Sequence, residues 1–350
     1  MKTTPVKVAI TGFGFMGKTH YSRYQQIEGV EVSAICDFNS TTFENNTLES
    51  TGNIDTLSGE TVDFDSIDTY SDYATLLSKG GFDIVDVCLP SYLHRQHVVE
   101  ALDAGYHVFC EKPIALSNEG AQSILAKAEQ SGKCFAVGHG VRFSPAYVQT
   151  KAIIDEGTYG RLNYAEFRRF SAPPAWAWDN WILENERSGG AALDIHIHDV
   201  DMILYLFGNP KNIKSSGLKD RNGNISQIST VYSYADKLVS STGGWICSSS
   251  FGFRSSALLV LERATIELDS SKQNKAVVFP EDADMYALEI PAKDGYYYEL
   301  KDFVDYVMTG KSSGIVTPAS SAASLKLCLE EIRSAHEDRQ IPIGENFGVR

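Results

Sequence analysis

The chain has 350 residues, 43% of them hydrophobic and 22% charged, a composition that excludes disordered, collagenous and coiled-coil proteins and predicts two domains, each with its own core. Lys and Arg number 31 against 45 Asp and Glu, and the formal charge of −14 would repel nucleic acid and anionic membranes, which leaves a small molecule in a cleft as the expected partner. No run of about 18 apolar residues offers a spanning helix, and the opening MKTTPVKVAITGFGF lacks a signal-peptide core, so secretion is not expected.

In chain order, the first 140 residues alternate short apolar runs with helical stretches. Strands are predicted at 6–12, 30–37, 67–70, 83–90, 106–113 and 133–139, with helices at 17–26, 73–79, 94–104 and 119–131. Strands apolar throughout and separated by helices imply a parallel sheet covered on both faces, a doubly wound α/β domain over 1–140. Residues 39–66, rich in Ser, Thr, Asn and acids, read as a partly helical surface excursion. From 141 to 350 the pattern changes. A helix at 146–156, a strand at 162–170, a Pro/Trp loop at 171–181 and a helix at about 190–207 precede alternating segments over 211–292. These predict an open, mostly antiparallel sheet, and two helices, 298–309 and 319–338, close the chain. Six cysteines show no CxxC spacing; Cys36, Cys88, Cys110 and Cys134 lie in or at the end of apolar runs and read as buried strand residues. Free thiols without a disulfide framework predict a reducing, cytoplasmic location.

Gly12-Phe13-Gly14-Phe15-Met16-Gly17 is a GxGxxG that follows a strand and opens a helix. Gly12 permits the tight turn, Gly14 lets backbone approach a pyrophosphate, and Gly17 allows close helix–strand packing. The helix start supplies free N–H groups and the positive end of its dipole. Asp37 ends the second strand about twenty residues on, where a carboxylate would accept hydrogen bonds from the adenosine ribose. A 2′-phosphate about 4 Å from that carboxylate would be repelled by roughly 4 kcal/mol at an effective dielectric of 20. Phe38 and Asn39 offer no cation, so NAD is expected over NADP.

Further motifs carry a resemblance. Pro90-Ser91-Tyr92-Leu93-His94, Glu111-Lys112-Pro113, Gly138-His139-Gly140-Val141-Arg142-Phe143 and the run 189–201 (GGAALDIHIHDVD), taken with the GxGxxG, resemble the Gfo/Idh/MocA oxidoreductase family over residues 6–201. The resemblance implies a nicotinamide-binding Rossmann domain, and a second domain whose open sheet often builds a homo-dimer or homo-tetramer. It implies hydride transfer with a sugar, inositol or related polyol. Lys112 matches the family's active-site lysine, and Asp194 and His198 match its DxxxH pattern. Pro90, Ser91, His94, Glu111 and Lys112 are expected to join Gly12–Gly17 and Asp37 at the coenzyme; Ser91 stands where Asn is common.

The chemistry of these residues fits that reading. An alcohol being oxidised must lose its hydroxyl proton as its hydride leaves, and imidazole suits proton uptake near neutral pH. Positions 194 and 198 are four apart, about 40° around an α-helix, so both can face one cleft, with Asp194 orienting the imidazole or contacting substrate. Lys112 would favour a developing alkoxide. Asp201 shares that face and reads as structural; His196 points the opposite way and reads as packing. Arg142 and Trp178 are expected at the substrate. The tryptophans of 173–181 could stack on a sugar ring or pack within the protein.

Two other classes compete. Asp194-Ile195-His196-Ile197-His198 contains an HxH that suggests a metal-dependent hydrolase, but only His336 follows it and no cysteine cluster is present, so no metal is expected. A non-catalytic NAD-binding regulator of the same fold is the alternative; the joint presence of Lys112, Asp194 and His198 favours turnover.

Overall fold

The structure is a computed structural model that describes residues 4–49, 52, 57, 59–344 and 347. In chain order it contains β1 (Val6–Thr11), α1 (Phe15–Tyr24), β2 (Val30–Cys36), β3 (Asp68–Tyr70), α2 (Tyr73–Lys79), β4 (Ile84–Val87), α3 (His94–Asp103), β5 (His107–Glu111), α4 (Asn118–Ser131) and β6 (Phe135–Gly138). These form a six-stranded parallel sheet in the order β3-β2-β1-β4-β5-β6. The strand order reverses between β1 and β4, the switch point beside which open α/β sheets bind ligands. Local chemistry sets the helix ends. Asp72 accepts the Thr75 N–H at 2.7 Å to start α2, Ser117 caps α4, and Gly132 closes α4 in the left-handed region. The excursion expected at 39–66 contains 3₁₀ turns at Ser40–Glu44 and Phe64–Ser66, joined by a Thr47–Thr61 bridge; residues 50, 51, 53–56 and 58 lie outside the described residues.

The second half contains α5 (Pro145–Asp155), β7 (Leu162–Phe170), α6 (Asn185–Ser188), α7 (Ile197–Phe207), β8 (Asn212–Lys219), β9 (Ile225–Ser233), β10 (Leu238–Gly244), β11 (Arg254–Leu261), β12 (Ala264–Asp269), β13 (Ala276–Pro280), β14 (Tyr286–Ala287), α8 (Gly295–Thr309), α9 (Pro318–Glu337) and β15 (Ile341–Pro342). Nine strands pair in the order β14-β13-β12-β11-β7-β10-β9-β8-β15. Pairing is antiparallel except for β7 with β10, so the sheet is mostly antiparallel, as the alternating sequence predicts.

The chain divides into two compact units. The first holds residues 1–140, 176–178 and 295–322; the second holds 141–175, 179–294 and 323–350. The first core explains why a late segment joins it. Leu300, Phe303 and Val304 of α8 are buried with Val8 and Ile10 of β1, Ile35 of β2, Ile84 of β4 and Phe109 of β5. Cys36, Cys110 and Cys134 are buried, Cys88 is half-buried, and all six cysteines are free thiols.

Candidate active site

In the first unit, register brings the chemistry-bearing strand ends to one edge. Thr11 pairs with Val87, Val87 with Cys110, and Glu111 with Gly138. The glycine loop after β1, Pro90 and Ser91 after β4, and Lys112 after β5 therefore leave the sheet side by side. With neighbouring strands about 4.8 Å apart, Lys112 stands roughly 10 Å from Gly12.

The loop residues fit a dinucleotide. Gly12 has φ +83°, and a Cβ there would lie 2.6 Å from the Cys88 carbonyl oxygen. A Cβ on Gly17 would lie 2.0 Å from the Gly12 carbonyl oxygen, so both positions require glycine. Around Gly14 no atom lies within 4 Å of an added Cβ, the open approach a pyrophosphate needs. No side chain caps α1 and no acid stands in its first turn, so its first N–H groups remain available to an anion. The Phe13 side chain is buried in the core, while its N–H donates to Asp37 Oδ2 at 2.8 Å. Asp37 Oδ1 accepts the Asn39 N–H at 2.9 Å. The carboxylate is thus fixed against the glycine loop with lone pairs left for a ribose diol.

Two residues expected at the coenzyme, His94 and Glu111, are buried. His94 is buried, with Nδ1 2.7 Å from the Pro113 carbonyl oxygen and Nε2 2.8 Å from that of Leu89. Burial disfavours the charged ring and holds its pKa below the usual value, although the carbonyls favour protonation. The ring ties the Lys112-Pro113 turn to the end of β4. Glu111 is also buried: Oε2 accepts the Lys112 N–H at 3.1 Å, and Oε1 lies 3.1 Å from His20 Nε2. His20 Nδ1 lies 2.8 Å from Asp86 Oδ2, and the Cys88 thiol is 3.3 Å from the same nitrogen. His20 therefore bridges two buried carboxylates, one of which holds the backbone of Lys112. The sets His20/Asp86/Cys88 and His20/Glu111/Glu299 gather metal-ligand donor types. Both ring nitrogens of the shared His20 nevertheless sit at hydrogen-bond distance from carboxylates, the geometry of an ion cluster.

Burial alone would lower the His20 pKa, but Asp86 and Cys88 reverse this and raise it well above 6.5. Burial would raise the Glu111 pKa, but His20 and Lys112 hold it below 4.5. Stability from a raised histidine is present at low pH and lost as pH climbs through its folded value. Stability from a lowered carboxylate is present above its ordinary value and lost as pH falls through the folded one. The Tm gap between wild type and His20→Gln is therefore expected to be widest at mildly acidic to neutral pH. It should close on acidification below 4.5 and narrow at alkaline pH; a gap independent of pH in thermal melts would exclude the charged bridge.

In the second unit, α6 ends on Gly189 (φ +77°) and Gly190 follows (φ +70°); a Cβ on Gly189 would lie 2.3 Å from the Leu193 side chain. The expected helix then begins with one π-helical stretch, Ala192–His196, before α7. Such wider turns re-aim side chains and recur at functional sites. Between residues 191 and 203 every residue is buried except Asp194 and His198, which are half-buried. Asp194 lies in the π turn and His198 at the start of α7, so the otherwise enclosed stretch opens at the two positions of the DxxxH pattern.

Three buried bridges hold this helix. Arg142 donates from Nε to Asp201 Oδ2 at 2.8 Å and from Nη2 to Oδ1 at 2.6 Å, and the Ser324 hydroxyl donates to Oδ1 at 2.7 Å. Arg169 of β7 donates from Nη2 to Asp199 Oδ1 at 2.7 Å. His196 Nε2 meets Glu331 Oε2 of α9 at 2.7 Å, and the Thr230 hydroxyl donates to the same oxygen at 3.0 Å. Asp201 and His196 thus serve packing, as the sequence suggests. Arg142, expected at the substrate, is buried with its guanidinium forked on Asp201 and lies over the Tyr205 ring. The Arg169–Asp199 and His196–Glu331 pairs were not anticipated; their partners lie 30 and 135 residues apart. Trp178, also expected at the substrate, packs in the first unit against Phe38.

The model of an oxidoreductase family with an NAD-binding Rossmann fold matches residues 6–139, and that of the GFO/IDH/MocA C-terminal domain matches residues 147–267. The chain belongs to the GFO/IDH/MocA oxidoreductase family, and its residues 6–139 match that family's NAD-binding Rossmann domain. Among relatives, it is 28% identical to the 2,7-anhydro-N-acetylneuraminate hydratase of Mediterraneibacter gnavus over 68% of this chain and 58% of that one. It is 23% identical to the inositol 2-dehydrogenase/D-chiro-inositol 3-dehydrogenase of Lactiplantibacillus plantarum, over 96% of this chain and 94% of that one. The chain spans 50% to 58% of the length of several other relatives. A solved levoglucosan dehydrogenase, in complex with NADH and levoglucosan, shares the fold with a TM-score of 0.81 at 17% identity, covering 97% of this chain and 100% of the other. No helix among the described residues is long and apolar enough to cross a membrane.

Proposed function

We propose that this protein is an NAD-dependent dehydrogenase acting on a secondary hydroxyl of a sugar, inositol or related polyol. The observation that carries the reading is the buried helix of the second unit, open at Asp194 and His198, in a chain whose other unit is an NAD-binding Rossmann fold. Gly12–Gly17 and Asp37 would hold the pyrophosphate and the adenosine ribose. When bound, NAD⁺ accepts the hydride from the substrate carbon. His198 takes the hydroxyl proton, Asp194 orients that imidazole or the substrate hydroxyl, and the Lys112 ammonium favours the alkoxide that develops between the two transfers. The proton ends on the imidazole, the electron pair leaves with the hydride, and the carbon becomes a ketone. Names of matched relatives, an inositol dehydrogenase and a glucoside dehydrogenase among them, support the substrate class.

The hydratase relative favours a second reading, in which the sugar gains or loses water with no net redox change. Sugar consumption without accumulation of NADH would select it; stoichiometric NADH selects the dehydrogenase.

Coenzyme choice has its own test. The double variant Asp37→Ser/Asn39→Arg removes the carboxylate and adds a cation beside the ribose. Its kcat/KM ratio is expected to shift toward NADP by at least tenfold, and an unchanged NAD/NADP ratio would remove Asp37 from the ribose. Because Asp37 also accepts the Phe13 and Asn39 N–H groups, NAD affinity itself should fall in the same variant.

A further inference from the structure

The Pro/Trp loop places two indoles in the first unit, and each meets a phenylalanine of the coenzyme-binding segments. Trp176 contacts Phe15 with ring centroids 5.5 Å apart at 63°. Trp178 contacts Phe38 with centroids 4.7 Å apart at 65°. Phe15 opens α1, where a pyrophosphate would sit, and Phe38 directly follows Asp37. Trp178 remains 52% exposed and Phe38 60%, so this edge-to-face pair presents open ring faces one residue from the carboxylate assigned to the ribose.

We infer that Trp178 and Phe38 form the stacking surface for the adenine of the coenzyme. Consecutive Cα atoms are 3.8 Å apart, so a base on the ribose held by Asp37 lies within reach of the Phe38 ring and its neighbour. At 4.7 Å and 65° the two rings leave no slot between them, so the base lies flat on the exposed face of one ring and meets the other edge-on. An adenine is flat, apolar on both faces and well matched to such a surface, and stacking needs no further hydrogen-bond donor. After Trp178 the chain turns through Asp179 and Asn180, both at φ 49°, a left-handed conformation that Asp and Asn tolerate better than most residues. Trp178 accordingly belongs to the coenzyme and not to the sugar. The inference rests on the coenzyme placement at Asp37 proposed above.

The test is calorimetric titration of the full chain with ADP-ribose and, separately, nicotinamide mononucleotide. Trp178→Ala and Phe38→Ala are each expected to weaken ADP-ribose about 5- to 30-fold, the range of one base–aromatic contact. Trp178→Phe should restore most of the affinity, and nicotinamide mononucleotide should bind Trp178→Ala within twofold of wild type. Equal ADP-ribose affinity in wild type and Trp178→Ala overturns the inference. So does equal weakening of both ligands, which would mean a displaced loop, or a raised sugar KM with ADP-ribose affinity intact. Asp37→Ala separates the two levels. If it loses ADP-ribose affinity while Trp178→Ala does not, the adenine contact alone falls; if neither loses affinity, the coenzyme placement falls with it.

Discussion

Replacing Lys112 with alanine is expected to lower kcat/KM by about 10²–10⁴-fold, or roughly 3–5 kcal/mol of barrier, while NAD affinity stays within a few-fold. The expectation follows from where the lysine is held. Its N–H is fixed by buried Glu111, Glu111 by His20, and the Pro113 carbonyl by buried His94. A side chain anchored on both sides presents its ammonium with little reorganisation when negative charge develops on the substrate oxygen. Steady-state kinetics with saturating coenzyme would show a loss in kcat. A loss confined to the KM for NAD would make Lys112 a coenzyme ligand, and unchanged kinetics would remove it from the chemistry.

Arg142→Leu is expected to destabilise the second unit by roughly 3–5 kcal/mol, because it takes the cation away from a buried carboxylate. Arg142 and Asp201 are both nearly inaccessible and share two hydrogen bonds, at 2.8 and 2.6 Å. The double variant Arg142→Leu/Asp201→Leu should recover much of the loss, since two apolar side chains remove the desolvation penalty together with the attraction. Chemical denaturation of wild type, Arg142→Leu, Asp201→Leu and the double variant measures the coupling. Wild-type stability in Arg142→Leu, with an increase in substrate KM, would return the arginine to the substrate role its position in the sequence suggests.

Local signals carried far in this chain. β1, the glycine loop and Asp37 were legible because each depends on a few neighbouring residues: an apolar run, a turn that needs Gly12, a helix start, and an acid at the next strand end. The strands of the first unit fell within a few residues of their predicted ends for the same reason. What stayed hidden depends on distant partners. Nothing near Phe303 signals that α8 supplies core to the first unit, because its apolar face would suit any core. Glu111 and His94 look like ligand residues in sequence; their burial against His20, Leu89 and Pro113 required the folded chain. The π stretch at 192–196 replaces the plain α-helix that the spacing of Asp194 and His198 implies. Exposure survives at those two positions nonetheless, because the neighbouring apolar residues still find cover on the other sides of the helix. The tryptophans were legible as stacking surfaces, whereas their location beside Phe15 and Phe38 required the folded chain.

The most direct measurement follows a label. Full-length protein is incubated with NAD⁺ and a panel of inositols and aldoses deuterated at their secondary carbinol carbons, and deuterium at the nicotinamide C4 is read by mass spectrometry. The account predicts that at least one polyol delivers a single deuterium to the coenzyme and becomes a ketone, and that Lys112→Ala and His198→Ala each slow the transfer by at least about 10²-fold. NAD binding with no label transferred from any member of the panel would contradict it and favour a coenzyme-binding regulator.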